Sequence, residues 1–462
     1  MRRDNLRVIV VGAGLAGLTA AAELTQSGAD VVVLEARDRV GGRVHGLRVA
    51  GQAVGDAGAA YLGTRHTELL RLVGRYGMSL TSTAMRGDST FLIADEHTRT
   101  PSRVPPLDPI ALGELFDVLE ELVEQVRPEA PWQTAGADRL DRLSAARWLT
   151  DTVGRPDAAT FFPLFLGEMM AADPSAISVL HMAFYLRSGG GIRYLNAFEG
   201  GAQHWRIEGG AHRICEAMAA GLGDRVRLQE PVRAIDQDVD GVSVHCVSDT
   251  DGSWSVHRAD RVVVAIPPQL AQRIDFRPRL QFPRATTATG RGCAVKVHLG
   301  YSAPLWRDHG LSGWSVSTGG PLLSTVDDSP PDESAGILTG FVTGAAATEF
   351  SRLSTADKKT AALSHAHRLF PLLPVPAQCT VTDWLTEKYS RGCYAALFGP
   401  GDWLRLGPTL TRPHGRVHWA GTETSLEYFG LMEGAIRSGR RVAAELTEVA
   451  DDATRAGKVL AP

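Results

Sequence analysis

The chain has 462 residues, 44% of them hydrophobic, and a formal net charge of −4. That length exceeds one ordinary hydrophobic core and sets an expectation of two domains. The near-neutral balance, without a basic cluster, excludes nucleic acid as a partner, and no run approaches the ~20 apolar residues of a membrane span. The five cysteines are odd in number and scattered, which argues against a disulfide framework and for the reducing cytoplasm.

The first predicted element is the strand Val8-Ile-Val-Val11, followed by Gly12-Ala-Gly14-Leu-Ala-Gly17 and a helix. Gly12 permits the tight turn, Gly14 lets a pyrophosphate approach the backbone, and Gly17 lets the helix pack on the strand. The helix start offers unpaired N–H groups and a positive dipole end to phosphates. The preceding Met1-Arg2-Arg3 imitates a signal peptide. The apolar run behind it is the first strand of the fold, so cleavage is not expected. A second apolar run, Val31–Leu34, ends in Glu35, placed to accept hydrogen bonds from ribose hydroxyls. This is a dinucleotide site. A plain NAD fold would continue into another strand. This chain turns instead into Arg37-Asp-Arg39-Val-Gly41-Gly42-Arg43 and then Asp56-Ala-Gly58-Ala59-Ala-Tyr61, glycine turns suited to a large extended cofactor.

Further along, a helical pattern covers Leu69–Val73, strand-like residues lie around Phe91–Ile93, and Pro101–Pro109 reads as a crossing between domains. Ile110–Val126 is an acidic amphipathic helix with Leu112, Leu115, Phe116, Leu119, Leu122, Val123 and Val126 on one face. More helices run to Arg187, before the break at Gly189–Gly191. Val242–Val247 and its partner across the turn at Asp249–Gly252 form a hairpin leading to Arg261–Pro268. Strands and helices follow from Phe282 to Cys379. The last segment, Val417–Thr424 and a helix from Gly430 to Leu446, is again strand, glycine turn and helix, before a short polar tail.

Lysine occurs only five times, so Lys296, inside the apolar strand Cys293–Leu299, stands out. An unpaired buried ammonium is costly, and such a lysine needs a polar partner or loses its proton. The other reading is an edge lysine whose head reaches solvent. His181, His204 and His212 show no paired ligand spacing, so no metal site is read, and no serine has a nucleophile-elbow context.

With its fingerprint, Glu35 and the glycine turns around Arg43, the chain resembles the flavin monoamine oxidase family from about Arg7 to Leu446, most closely at the two ends. The resemblance implies an α/β chain, α+β overall. A Rossmann-like FAD-binding GxGxxG domain (1–80, 205–285 and 385–450) is interleaved with a mixed substrate domain of sheet and helices (81–204 and 286–384), with 451–462 as a polar tail. It implies FAD held by Gly12, Gly14, Gly17, Glu35, Arg37, Gly42, Arg43, Gly58, Ala59 and Val232, then by Trp384, Cys393, Gly421, Thr422, Glu423, Leu431 and Met432. Lys296 and Tyr394 are implied as the catalytic residues. The Gly392-Cys393-Tyr394 triplet is similar to that of members whose cysteine is bonded to the flavin 8α carbon; an inert buried thiol is the alternative. Tyr394 forms one wall of an aromatic cage in front of the flavin. The family's second cage tyrosine is here Leu431, a departure that implies a different substrate shape. Tyr61, Glu168, Asn196, Gln203 and Leu431 are expected around the substrate. A carboxylate at Glu168 would hold a second cationic group; the alternative is a solvated surface glutamate. Trp419 and Phe429 are expected in the core.

The implied reaction oxidises an amine at its Cα–N bond to an imine, hydrolysed to an aldehyde or ketone, with oxygen reduced to hydrogen peroxide. The implied partners are therefore a small amine and oxygen. The arginine-rich composition and the lack of the family's membrane anchor suit a soluble bacterial member, and a homodimer is left open. Three rival readings stay open. An L-amino-acid oxidase needs an arginine to clamp a carboxylate, for which Arg187, Arg193 and Arg206 are candidates. A pathway-specific flavin desaturase or dehydrogenase shares the cofactor motifs. A non-catalytic flavin-binding protein shares them too.

Overall fold

A computed structural model describes residues 5–459 except 50, 51 and 84. The strand Arg7–Val11 lies at the centre of a five-stranded parallel sheet. In spatial order this sheet contains Val226–Arg227, Asp30–Leu34, Arg7–Val11, Arg261–Val264 and Val417–Trp419. Its central strands are continuous apolar runs because both faces are covered, as expected for parallel strands. On one face sits the helix Leu15–Gln26, against which the C-terminal helix Met432–Val459 packs. On the other face lies the sheet containing the hairpin Val242–Val247/Trp254–Ala259, antiparallel as the sequence predicts.

Two of the fingerprint glycines have measurable reasons. Gly12 has φ of 101°, a left-handed conformation that disfavours a side chain. A Cβ on Gly17 would stand 2.0 Å from the Gly12 carbonyl oxygen, so helix and strand meet there without room for a methyl group.

The second sheet has seven strands in the order Gln378–Asp383, Ala294–Tyr301, Gly336–Thr343, Ser324–Asp327, Leu311–Ser317, Asp88–Ile93 and Glu96–Thr100. All its pairings are antiparallel except Leu311–Ser317 with Asp88–Ile93. A helical layer adjoins it, with Pro109–Gln125, Pro156–Met170 and Val179–Ser188 sharing one apolar core. The amphipathic reading of the first of these holds, since Leu112, Leu115, Leu119, Leu122 and Val123 are buried. Its N-terminus is fixed by Asp108, whose carboxylate accepts from the Ile110 N–H, with Pro109 at the first helical position. Trp419 and Phe429 are both buried.

Two expectations change. The C-terminal helix does not stop at Leu446. It runs to Val459, with residues 460–462 of the expected tail outside the described residues. No glycine or proline interrupts the chain between Leu446 and Ala456, so the polar sequence propagates the helix. The turn at Gly421–Glu423 supplies no long-helix terminus to the cofactor. A single tight turn, Thr422–Thr424, follows it, and the long helix begins at Met432. Among the described residues no helix is long and apolar enough to cross a membrane.

Candidate active site

The two sheets and the helical layer enclose one continuous cavity. Its dinucleotide end is lined by Gly12, Gly14, Glu35, Arg37, Gly42 and Arg43. The helix Leu15–Gln26 starts here, and its capping position is Gly14, whose missing side chain leaves the first N–H groups to a ligand. Glu35 terminates its strand and is held in place by its own backbone surroundings. Its carboxylate accepts from the N–H of Ala13 at 2.8 Å and of Arg37 at 3.0 Å. The Arg37 guanidinium is engaged by Glu35, Glu387 and Ser390, yet its buried Nε has no partner among the described residues. That orphaned donor, the glycine cradle and the uncapped helix start fit an adenine dinucleotide. Val232 lies in an adjoining cavity that shares Glu35 and Arg37.

Arg43 ties three distant segments together. Its guanidinium makes a two-pronged contact with Glu423, at 2.6 and 3.0 Å, and donates to the Tyr394 carbonyl at 2.8 Å. Burial alone would raise the Glu423 carboxyl, but the charge and hydrogen bonds of Arg43 outweigh it and hold the group below its ordinary value. Glu423 therefore lies beneath the cavity as support and does not line it, as Gly17 also does not. The Gly421 N–H is taken by the Ser438 hydroxyl at 3.0 Å, and Gly421 and Thr422 line the wall beside Leu431 and Met432.

Lys296 enters from the opposite side. Its strand is buried along its length, and the side chain is only 5% exposed. Its ammonium donates to the carbonyls of Gly58 at 2.8 Å and Asp56 at 3.2 Å, which disposes of the edge-lysine reading. Three N–H donors and two carbonyl acceptors leave one for the cavity it lines. Burial lowers its pKa, with the Asp328 and Asp56 carboxylates opposing. Gly58 and Ala59 line the cavity next to it.

Trp384 is held by a hydrogen bond from its indole N–H to the Ala57 carbonyl at 3.0 Å. Cys393 and Tyr394 follow on the same wall, joined by a cis peptide. Burial pushes the Cys393 thiol up to about 12, although Arg43 and Lys296 both favour its anion. Past Tyr394 the cavity is lined by Tyr61, Glu168, Leu195, Gln203, Phe341 and Leu431. Gln203 donates to the Leu195 carbonyl at 3.2 Å, and the Tyr61 hydroxyl to Asp328 at 3.3 Å.

Asn196 does not belong to this wall. It is the last residue of the short helix Ile192–Asn196 and is exposed, while its neighbour Leu195 lines the cavity. Consecutive helical residues point about 100° apart, so with Leu195 turned inward Asn196 faces out. The arginines considered as a carboxylate clamp are elsewhere. Arg187 and Arg193 are exposed, and Arg206 is committed to Asp328 and the Ser329 carbonyl. The sequence also gives no hint of His66, Tyr185 and Phe341 in the lining, since no motif marks them.

One group among the described residues has metal-ligand chemistry that spacing does not reveal. Glu230, Cys246 and His257 place their ligand atoms within 4.8 Å of one another. Ser255 donates to Glu230, and Arg227 donates to His257 Nδ1. That leaves the proton on Nε2, so the cluster is closed by its own hydrogen bonds.

The sequence profile of the family described as flavin containing amine oxidoreductase matches residues 15–447, and the chain belongs to that family. Among its relatives is a probable flavin-containing monoamine oxidase A of Dictyostelium discoideum, 33% identical over 96% of this chain and 97% of the relative. The flavin-containing amine oxidase B of Sus scrofa is 31% identical over 95% and 85%. Two similar solved structures are a putrescine oxidase with putrescine bound (TM-score 0.88, 30% identity, 96% and 99% covered) and the cyclohexylamine oxidase of Brevibacterium oxydans IH-35A (TM-score 0.89, 30%, 97% and 100%). The chain is thus a flavin-dependent amine oxidoreductase with a Rossmann-like FAD domain, and FAD is its cofactor.

Proposed function

We propose that the protein is an oxidase of small amines in which FAD is held between the Gly12–Gly17 turn and the Cys393–Tyr394 wall, and that oxygen is the final acceptor. The observation that carries this reading is the single cavity running from the fingerprint past Lys296 and Tyr394 to a mostly apolar end. Bound FAD supplies the oxidising chemistry: amine, oxygen and water become aldehyde or ketone, ammonia or amine, and hydrogen peroxide. The residues of the chain bind, orient and dry the substrate. Leu195, Phe341 and Leu431 withdraw the reacting nitrogen from water, which favours its neutral form. Tyr394 presents one aromatic wall, and Leu431 leaves the opposite wall wider than a pair of tyrosines would. Lys296 holds a fixed positive charge or a donor against the cavity. No side chain is required as a general base.

The division into a cofactor domain (1–80, 205–285 and 385–450) and a substrate domain (81–204 and 286–384) belongs to the same proposal, as do a cytoplasmic bacterial setting and a homodimer. It is supported by the two separate sheets, one parallel and one mainly antiparallel. Anaerobic mixing of the yellow protein with a panel of amines tests the function. The flavin band near ~450 nm, whose position the cofactor itself sets, is expected to bleach with an amine and return on admitting air. Bleaching by amino acids alone would overturn it in favour of an amino-acid oxidase.

Covalent attachment through Cys393 is the finer part of the reading, supported by the thiol's place in the cavity wall. Its high pKa means that the protein without cofactor does not hold a thiolate. Acid precipitation is expected to leave the colour with the wild-type protein and to release it from Cys393→Ala. Release from both would show that the flavin is held without a bond.

A further inference from the structure

Buried carboxylates in this protein come with partners. Glu423 has Arg43, and Glu35 has Arg37 and two backbone N–H groups. Asp327 has Trp306 and Arg307, and Glu433 has Arg437 and the N–H of Leu69. These satisfy the rule that a buried charge is paired or fully hydrogen-bonded.

Glu168 breaks that rule. It comes from the last turns of the helix Pro156–Met170, is half-buried, and lines the cavity beyond Tyr394. Among the described residues no arginine, lysine or histidine forms an ion pair with it. The Ser324 hydroxyl is the one group that favours its ionised form, and burial pushes the carboxyl up to about 7. Among the described residues no charged group that lines this cavity acts on its carboxyl. Gln203 is tied to the Leu195 carbonyl, and Lys296 to two carbonyls of its own. A helix that places an unpaired carboxylate in an apolar substrate chamber lacks one thing, a cation.

We infer that Glu168 anchors a second ammonium group of the substrate, so that the preferred substrate is a diamine or polyamine bound with one nitrogen at Glu168 and the other in front of Tyr394. This rests on the amine oxidase reading given above. A neutral donor such as a hydroxyl would leave the carboxylate charge uncompensated, whereas an ammonium supplies both charge and hydrogen bonds. The same arrangement repels carboxylate-bearing amines. The two nitrogens of one substrate then sit in opposite environments, the far one kept charged by Glu168 and the near one kept neutral by apolar walls.

The test uses the holoenzyme and linear α,ω-diamines from butanediamine to octanediamine, each beside the n-alkylamine of equal carbon number. Flavin reduction is followed anaerobically by stopped flow, giving an apparent Kd and a limiting rate for each. The wild type is expected to prefer a diamine, with an optimum in chain length. In Glu168→Gln, the diamine-to-monoamine ratio of affinities is expected to fall about 10- to 100-fold, the size of a lost charge-assisted hydrogen bond, and to fall in Kd more than in the limiting rate. Glu168→Leu is expected to reverse the preference. A ratio that stays within about threefold of wild type, a difference below the energy of such a bond, overturns the anchor. So does a wild type that prefers monoamines, with the amine oxidase reading intact. Failure of every amine to reduce the flavin overturns both.

Discussion

Replacing Arg43 by methionine is expected to destabilise the fold by about 3–5 kcal/mol, the cost of leaving one member of a buried ion pair without the other. Glu423 is 1% exposed and would keep backbone N–H groups, that of Ala396 among them, but no countercharge among the described residues. The Tyr394 carbonyl would lose its guanidinium donor in the same step. Chemical denaturation measures the loss directly. Combining Arg43→Met with Glu423→Gln removes the stranded charge and is expected to recover a large part of it, which a simple packing defect would not do. The pH dependence has a defined sign. The Glu423 carboxyl is lowered from its ordinary 4.5 in the folded state, so the pair contributes stability above that value. The contribution is lost as pH falls through the depressed folded-state value. Arg43→Met lacks it and is expected to show a shallower acid limb below about pH 4.5.

Gly17→Ala is expected to be as damaging and to act on the cofactor. The added methyl group would lie 2.0 Å from the Gly12 carbonyl oxygen and 3.2 Å from the Val10 side chain. The first of these is backbone and cannot swing aside, so the helix Leu15–Gln26 must lift from its strand and carry the phosphate-facing N–H groups with it. A loss of about 3 kcal/mol, at the upper end for overpacking, is expected. The flavin-to-protein ratio after purification should fall well below that of wild type. Gly113→Ala is the matched comparison. It lies exposed inside the helix Pro109–Gln125 with nothing within 4 Å of the new atom, and it is expected to stabilise by about 0.5–1 kcal/mol. Equal behaviour of the two variants would remove the steric argument.

How far the sequence reached depends on how local each requirement is. The glycine turn, Glu35 and Arg43 were legible because a tight turn, a strand end and a helix start each act within a few residues. Lys296 was legible because lysine is rare here and its strand is otherwise apolar. The placing of Glu168 in the chamber was legible only as an alternative to a surface glutamate, since a carboxylate on a helix looks the same from either side until the neighbouring layers are known. Asn196 failed for that reason, one residue being enough to turn from the inner to the outer face. The engagement of Arg37 by Glu387 and Ser390 joins residues about 350 apart, and no periodicity encodes it. The C-terminal helix exceeds its expected end because a polar stretch resembles a tail, although helices end at breakers and caps rather than at a loss of hydrophobicity.

The strand order of the parallel sheet also governs how this molecule is made. The fingerprint leaves the ribosome well before the rest of its sheet, and Arg7–Val11 gains its neighbour Arg261–Val264 only after a long stretch of chain has followed. Val417–Trp419, which completes the sheet, and Gly421 and Thr422, which line the cavity wall, follow later still in the chain. Contacts so distant in sequence form slowly and leave apolar strands uncovered meanwhile. Flavin capture is therefore expected only after Gly421 and Thr422 have joined the wall. Riboflavin supply and slow expression are expected to raise the yield of active wild-type protein.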